Sequence, residues 1–381
     1  MGKIKIIHVV TSLGVGGMEN GIVNLCNGHN REVFKPIVCC LKSVGPMTCR
    51  LREDVKVQCL DMPEGRAILF PLTLRYIFMQ EKPHIVHTHG LAGGGYHGIV
   101  GACLARVPII VNGEHGSFFN KPHQIVLQRF LARLCDANLS VSGSLKTKIT
   151  EILGVPADKI TVIRNGVDTN KFYRHSPRDE ICQRLHHEGF AIDDTTFNIF
   201  SIGSLKKEKA QLMLLRALKD VYISDPSVKI RVIFVGDGSD RTTLTGYAKE
   251  AGLEKAVIFL GNRSDVHELL NIADVLVSTS IAKHEGLSNV MLEAMSTNVP
   301  VIATRSVGAV EVIVDGINGF LIEPGDVRAL VDRLMLVYNN TSLRDEMGVQ
   351  ARRIILEEYT ITKMVQGYEQ LYLDLVSRKT H

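Results

Sequence analysis

Short apolar runs alternate along the chain with stretches whose apolar residues recur at helical spacing, the pattern of an α/β protein whose parallel strands are buried on both faces. In the first half the runs predict strands at residues 4–10, 36–41, 55–60, 84–88, 109–112, 138–141 and 161–163. A second series follows at 198–202, 229–235, 257–260, 275–278, 299–303 and 319–322. Between the two series the stretch around Pro177, His186, His187, Asp193 and Asp194 is polar and charge-rich, with little apolar periodicity. The expected division is a first doubly wound domain over residues 1–170, a linker over 171–196 and a second doubly wound domain over 197–358. Helical spacing of Met364, Tyr368, Leu371, Tyr372 and Leu375 predicts a terminal helix over 359–381 that packs back on the first domain. Two such domains joined end to end are expected to face each other across a cleft, with ligands beyond the carboxyl ends of the strands.

Composition agrees with two folded domains: the chain has 381 residues, 45% hydrophobic and 22% charged, which excludes a disordered or fibrous protein. The most apolar region, residues 91–111, is interrupted by His97, Arg106 and Pro108, so a membrane-spanning helix is not expected. Residues 1–5 lead straight into the first strand without a signal-like apolar region, which predicts a cytoplasmic protein. The eight cysteines form no C-x-x-C pair and read as reduced, mostly buried thiols. Net charge is only +4, but residues 1–168 carry 19 Lys/Arg against 12 Asp/Glu. That excess suggests an anionic partner or membrane surface for the first half.

Candidate chemistry gathers at strand ends. Gly14-Val15-Gly16-Gly17-Met18-Glu19 joins the first strand to a helix, where glycines allow a phosphate to approach backbone amides. Glu19 stands at the third glycine position of a dinucleotide fingerprint and the second strand has no well-placed acid for a ribose, so nicotinamide binding is disfavoured. His87-Thr88-His89 places two imidazoles on one face, but no D-x-D or third ligand accompanies them, and no metal site is called. Glu114-His115-Gly116 follows the next predicted strand, and His115 is expected to hydrogen-bond a polar ligand. In the second half, Lys206, Lys207 and Lys209 follow Gly203-Ser204 and can neutralise a diphosphate. In the run Glu285-Gly286-Leu287-Ser288-Asn289-Val290-Met291-Leu292-Glu293, Ser288 is expected to cap a helix whose first amides, those of Asn289, Val290 and Met291, favour a phosphate. Glu293 then lies on the helix, able to accept ribose hydroxyls.

The run 285–293 with the following Ala294-Met295 and Val299-Pro300-Val301-Ile302-Ala303 strongly resembles the retaining glycosyltransferases of family 4, and so do Gly16-Gly17-Met18-Glu19, His87-Thr88-His89-Gly90, Asn165-Gly166-Val167-Asp168, Val235-Gly236-Asp237-Gly238 and Gly316-Ile317-Asn318-Gly319-Phe320. The resemblance covers nearly the whole chain. It implies the GT-B fold, two Rossmann-like doubly wound domains, and transfer of a sugar from a nucleotide diphosphate, UDP rather than GDP, to a glycan or lipid-linked acceptor, with no cofactor, no metal and no nucleic-acid partner. Within that family Glu285 matches the residue on the donor sugar and Glu293 the one on the ribose. Lys209 matches the diphosphate lysine, and His115 the histidine near the sugar. Gly286, Leu287, Ser288 and Asn289 would hold sugar and phosphate through their backbone, Gly16 and Gly17 would approach the phosphates, and Arg263 lies where the base is received.

The chain departs from the family at three places. Ser204 stands where many members have arginine, leaving Lys206 or Lys207 as the second diphosphate cation. Ala282-Lys283-His284 lengthens the loop before Glu285, and Asn298 replaces a glycine at a helix end. Polysaccharide assembly at the inner face of the cell membrane is the expected setting. The rival readings are a different GT-B enzyme, such as an epimerase, and a non-catalytic nucleotide-sugar-binding protein.

Overall fold

The structure is a computed structural model that describes residues 2–62, 69–115, 122–175, 177–281 and 287–380. It separates into two compact units, one formed by Met1–Gly166 with Ile361–His381 and the other by Val167–Thr360. In the first, β1 (Ile4–Ser12), α1 (Gly17–Gly28), β2 (Phe34–Ser43), β3 (Lys56–Cys59), α2 (Phe70–Glu81), β4 (Ile85–His89), α3 (Tyr96–Ala105), β5 (Ile109–Glu114), α4 (Pro122–Leu134), β6 (Ala137–Ser140), α5 (Gly143–Leu153) and β7 (Ile160–Val162) follow in order. The second contains α6 (Arg178–His187), β8 (Phe197–Ile202), α7 (Leu212–Ser224), β9 (Ile230–Val235), α8 (Arg241–Glu250), β10 (Val257–Gly261), α9 (Val266–Leu269), β11 (Val275–Ser278), α10 (Asn289–Ser296), β12 (Val301–Thr304), α11 (Ala309–Val312), β13 (Gly319–Ile322), α12 (Val327–Asn339) and α13 (Thr341–Glu358). A last helix, α14 (Ile361–Thr380), returns to the first unit.

Among the described residues the strands form a seven-stranded sheet in the order β3-β2-β1-β4-β5-β6-β7 and a six-stranded sheet in the order β10-β9-β8-β11-β12-β13. All strand pairs are parallel. Each order reverses direction once, between β1 and β4 and between β8 and β11, which is where doubly wound sheets take ligands. All thirteen strands fall where the apolar runs place them. This is the GT-B type of architecture: two α/β units, each a Rossmann-like parallel sheet.

One face of the first sheet carries Ile6, Ile85, Ile109, Val111 and Leu139 against Met364, Val365, Tyr368, Tyr372 and Leu375 of α14. Gly28 makes that packing close, because a Cβ there would sit 2.6 Å from Val365. The second sheet is covered on both faces, by α10, α11 and α13 on one side and by α7, α8 and α12 on the other. Side-chain caps begin several helices: Ser142 accepts from the Leu145 amide at 3.1 Å and Asp326 from the Ala329 amide at 2.9 Å.

The stretch 171–196 differs from the linker expected of it. It lies inside the second unit, whose first unit neighbours in sequence are crossed at 166–167 and again at 360–361. Ile181, Cys182, Leu185 and Ile192 are buried in that unit's core. Three of its charges are paired with residues elsewhere in the unit: Arg178 holds Asp274 at 2.7 Å, Arg184 holds Asp265 at 2.9 Å, and Arg231 holds Asp193 at 2.9 Å. Burial would raise the Asp193 carboxyl, but the Arg231 guanidinium and the hydroxyls of Thr196 and Thr195 that donate to it hold it below the usual range. Asn298 has φ of 59°, the left-handed conformation asparagine tolerates.

Candidate functional site

At the carboxyl end of β8 the chain turns through Gly203, Ser204 and Leu205 into a single tight turn, Lys207–Lys209, before α7. Gly236 and Gly238, after β9, let the two loops touch: a Cβ at Gly236 would run into the Gly203 carbonyl, and one at Gly238 into the Leu205 carbonyl. The segment after β11 ties down the other side. Thr279 Oγ1 donates to the Lys209 carbonyl at 2.8 Å, the Ile281 amide donates to the Glu208 carbonyl at 3.0 Å, and Thr304 in turn donates to the Ser280 carbonyl. Lys209 is thereby fixed over the switch point between β8 and β11 and is half-buried, whereas Lys206 and Lys207 are exposed.

A small pocket opens there, lined by Lys209, Gln211, Ser278, Thr279, Ser288 and Val290 among others. Ser288 occupies the N-cap position of α10 in extended conformation, but its side chain accepts no cap hydrogen bond. The Met291 amide is turned inward to the Ser288 carbonyl at 3.2 Å, which corrects the expectation that it points at a ligand. Ser288 and Val290 line the pocket together with Lys209, so the positive end of α10 faces it. Leu287 is buried beneath, and Glu293 lies half-buried one turn along α10. Glu285 and Gly286 lie outside the described residues, as do Ala282, Lys283 and His284. A roomier cavity, about 380 Å³, lies between the C-terminal ends of α7 and α8, near Lys219, Tyr222 and Lys255. Helix carbonyls converge on it, the wrong dipole for a phosphate.

Arg263 does not stand ready for a ligand. Its guanidinium holds Asp265 at 2.7 Å and Glu188 at 2.5 Å, and these two carboxylates raise its pKa further. The side chain braces the end of α6 against the segment after β10.

In the first unit α1 begins at Gly17, with Gly16 extended at the N-cap. The Glu19 carboxylate folds back so closely over Gly16 that a Cβ there would collide with it. An anion reaching Gly16 and Gly17 must displace that carboxylate. On the sheet face under α14, His8 of β1 and His87 of β4 are register partners, and His89 follows two residues on. His8 Nδ1 lies 3.1 Å from His89 Nε2, His89 Nδ1 lies 3.3 Å from His115 Nε2, and His87 Nδ1 lies 2.7 Å from the Tyr372 hydroxyl. Gly113 leaves room for the rings, since a Cβ would sit 3.0 Å from His87 Nε2. Burial pushes His8 down to about 3 and His115 to about 4 and holds His87 and His89 well below the ordinary imidazole range, so all four are neutral at pH 7. His115, at the end of β5, keeps partial exposure.

Two family models match in tandem, "Glycosyltransferase Family 4" over residues 15–171 and "Glycosyl transferases group 1" over residues 183–354. The chain belongs to glycosyltransferase family 4. Across 99% of its length this glycosyltransferase is 28% identical to the UDP-Gal:α-D-GlcNAc-diphosphoundecaprenol α-1,3-galactosyltransferase of Escherichia coli, covering 98% of that protein. It is 30% identical over 250 residues to the N-acetyl-α-D-glucosaminyl L-malate synthase of Bacillus anthracis, covering 66% of this chain and 62% of the relative. Among solved structures, a glycosyltransferase from Rickettsia africae superposes with a TM-score of 0.85 at 20% identity, covering 99% of both chains. An Anabaena protein in complex with UDP superposes at 0.83 and 22% identity, covering 97% of this chain and all of the other.

Within the second unit of this glycosyltransferase, Lys209, Ser288, Asn289 and Glu293 are gathered on neighbouring loops and one helix. Gly16, Gly17 and His115 belong to the first. Sequence reasoning passed over Thr279 and Gln211, which hold the β8–α7 loop in place, and His8 and Tyr372, which complete the histidine cluster. His8 carried a legible signal, a lone imidazole inside Ile6-Ile7-His8-Val9-Val10. The glycine contact gives a direct check on this geometry. Gly236→Ala, at φ of 126° and against the Gly203 carbonyl, is expected to cost more than about 2 kcal/mol of stability in the second unit. Gly246→Ala in α8, with open space around it, is expected to stabilise by about 0.5–1 kcal/mol. Urea denaturation of both variants measures this, and equal effects would show that the two loops do not pack as described.

Proposed function

We propose that this glycosyltransferase moves a sugar from a UDP-sugar to a glycan or lipid-linked acceptor, with retention at the anomeric carbon and without a metal ion. The observation that carries the reading is the convergence of Lys209 with the amino end of α10, a built anion site on a strand-end crevice. The full-length likeness to a galactosyltransferase that uses UDP-Gal and a diphosphoundecaprenol acceptor supports the donor and acceptor class, and the UDP complex of the Anabaena protein is compatible with it. Bacterial polysaccharide assembly is the corresponding setting.

In this mechanism the bond from the anomeric carbon to the diphosphate oxygen breaks, and the acceptor oxygen bonds to the same face. The acceptor proton passes to the departing phosphate oxygen. Negative charge grows on the diphosphate as the bond lengthens, and Lys209 with the α10 amides stabilises it more in the transition state than in the ground state. Glu293 accepts the ribose hydroxyls, Glu285 holds the transferred sugar, and His115 donates a hydrogen bond to it as a neutral imidazole.

Contact with an anionic membrane fits the first unit, which carries 22 Lys/Arg against 13 Asp/Glu. Helix α4 adds Val126, Phe130 and Leu127, all exposed, beside Arg129 and Arg133. No described helix is long and apolar enough to cross a membrane. Co-sedimentation with liposomes is expected to require anionic lipid and to fall with salt, and Phe130→Ser should weaken it; binding indifferent to lipid charge and salt contradicts the reading.

The two glutamates are expected to fail differently. Glu293→Ala should weaken free UDP and donor alike, by roughly ten- to a hundredfold for a lost charged acceptor worth about 1.5–3 kcal/mol. Glu285→Ala should leave UDP affinity nearly intact and lower kcat. Calorimetry with UDP on both folded variants decides it, and equal losses would falsify the division of roles. Activity is also expected to persist in excess chelator without stimulation by Mn²⁺ or Mg²⁺. Complete loss, restored by either ion, would assign the diphosphate charge to a metal instead.

A further inference from the structure

His8, His87 and His89 form the one group of three metal-ligating side chains that lie together among the described residues, with one ligand atom from each within 4.8 Å of the others. All three are buried in the first unit, on the sheet face that packs against α14. Their ring centroids are 5.3, 5.4 and 4.2 Å apart, with His87 tilted against both of the others and His8 stacked on His89.

The hydrogen bonds divide the six ring nitrogens in a telling way. The Nδ1 atoms of His87 and His89 are each committed outward, to the Tyr372 hydroxyl and to His115. Of their Nε2 atoms, that of His89 meets His8 at 3.1 Å, and that of His87 lies near Gly113 of β5 with no hydrogen-bond partner among the described residues. His8 Nε2 has none either. Two orphaned nitrogens on fully buried rings are costly unless something in the cluster satisfies them. Neutral imidazoles whose outer nitrogen is held by a hydroxyl or a second ring, with the inner nitrogen left as a lone pair, are the usual arrangement around a bound transition metal.

We infer that His8, His87 and His89 bind one divalent ion of the zinc class, with Tyr372 and His115 orienting the ligands from outside. Three imidazoles suit Zn²⁺, Co²⁺, Ni²⁺ or Cu²⁺ and not the oxygen-seeking Mg²⁺ or Ca²⁺. The ion ties β1 and β4 together at the sheet's switch point beneath α14.

Because the site is buried, it is best loaded during folding. The full chain, carrying no histidine tag, is refolded with Co²⁺ or Zn²⁺ and freed of unbound metal by gel filtration. The expected result is one ion per chain, with Co²⁺ giving visible ligand-field bands and no thiolate charge-transfer band. His8→Asn and His89→Asn, checked for folding by circular dichroism, are expected to retain no ion. Tyr372→Phe keeps all three ligands and should bind roughly ten- to a hundredfold more weakly with an unchanged spectrum. Wild-type protein that folds without retaining an ion overturns the inference in favour of a water-linked imidazole network. A thiolate band overturns it in favour of the cysteines, and so does undiminished binding by a folded ligand variant. Should the asparagine variants not fold, equal affinity of wild type and Tyr372→Phe overturns it.

Discussion

Strands buried on both faces leave polar chemistry only one place to gather, the loops beyond their carboxyl ends. The second unit of this glycosyltransferase obeys that constraint, whereas the first also buries His8, His87 and His89 on the face of its sheet. Ile199, Phe200, Val232, Phe234, Val275 and Val277 are fully or almost fully buried, so nothing along the second sheet can meet a charged ligand. The same strands deliver Gly203, Gly236, Thr279 and the start of α10 to one rim, and what remains is to hold those loops in register with each other.

That task falls to contacts with almost no spare space. Glycine at 236 and 238 lets backbone meet backbone, and the Thr279 hydroxyl fixes the carbonyl of Lys209. Lys209 is half-buried in the turn, while its neighbours Lys206 and Lys207 are exposed. Ser204, where many members of the family have arginine, leaves Lys209 as the half-buried cation of the turn, lining a pocket with the amino end of α10. Anchoring matters because a preorganised charge stabilises a transition state without the reorganisation that a solvated lysine must undergo.

The fold was largely legible in the sequence because the apolar runs of parallel strands are short, dense and bounded by glycine or polar turns. The strand after Lys229 and the one after Asn198 could be placed within a residue or so from that pattern alone. Composition misled at 171–196, where Arg178, Arg184 and Asp193 look solvated but each finds an ionic partner far away in sequence. Only distance in space distinguishes a paired charge from a free one. The site was legible where the chemistry is consecutive, as in the run ending at Glu293, and illegible where it is assembled across strands. His8 meets His87 through sheet register, and Tyr372 arrives from a helix 285 residues away. Arg263 illustrates the opposite error, because a basic residue in a promising position is already held by Glu188 and Asp265.

Lys209 and the amino end of α10 are proposed to grip the diphosphate of the donor together. Isothermal calorimetry of UDP, with GDP and ADP alongside, on wild type and on Lys209→Ala tests it most directly. Wild type should bind UDP in preference to the other two, and Lys209→Ala should lose roughly ten- to a hundredfold in affinity while remaining folded, the loss set by a charged hydrogen bond of about 1.5–3 kcal/mol. Unchanged UDP affinity in the folded Lys209→Ala variant, or no binding of any nucleoside diphosphate by the wild type, would contradict the account.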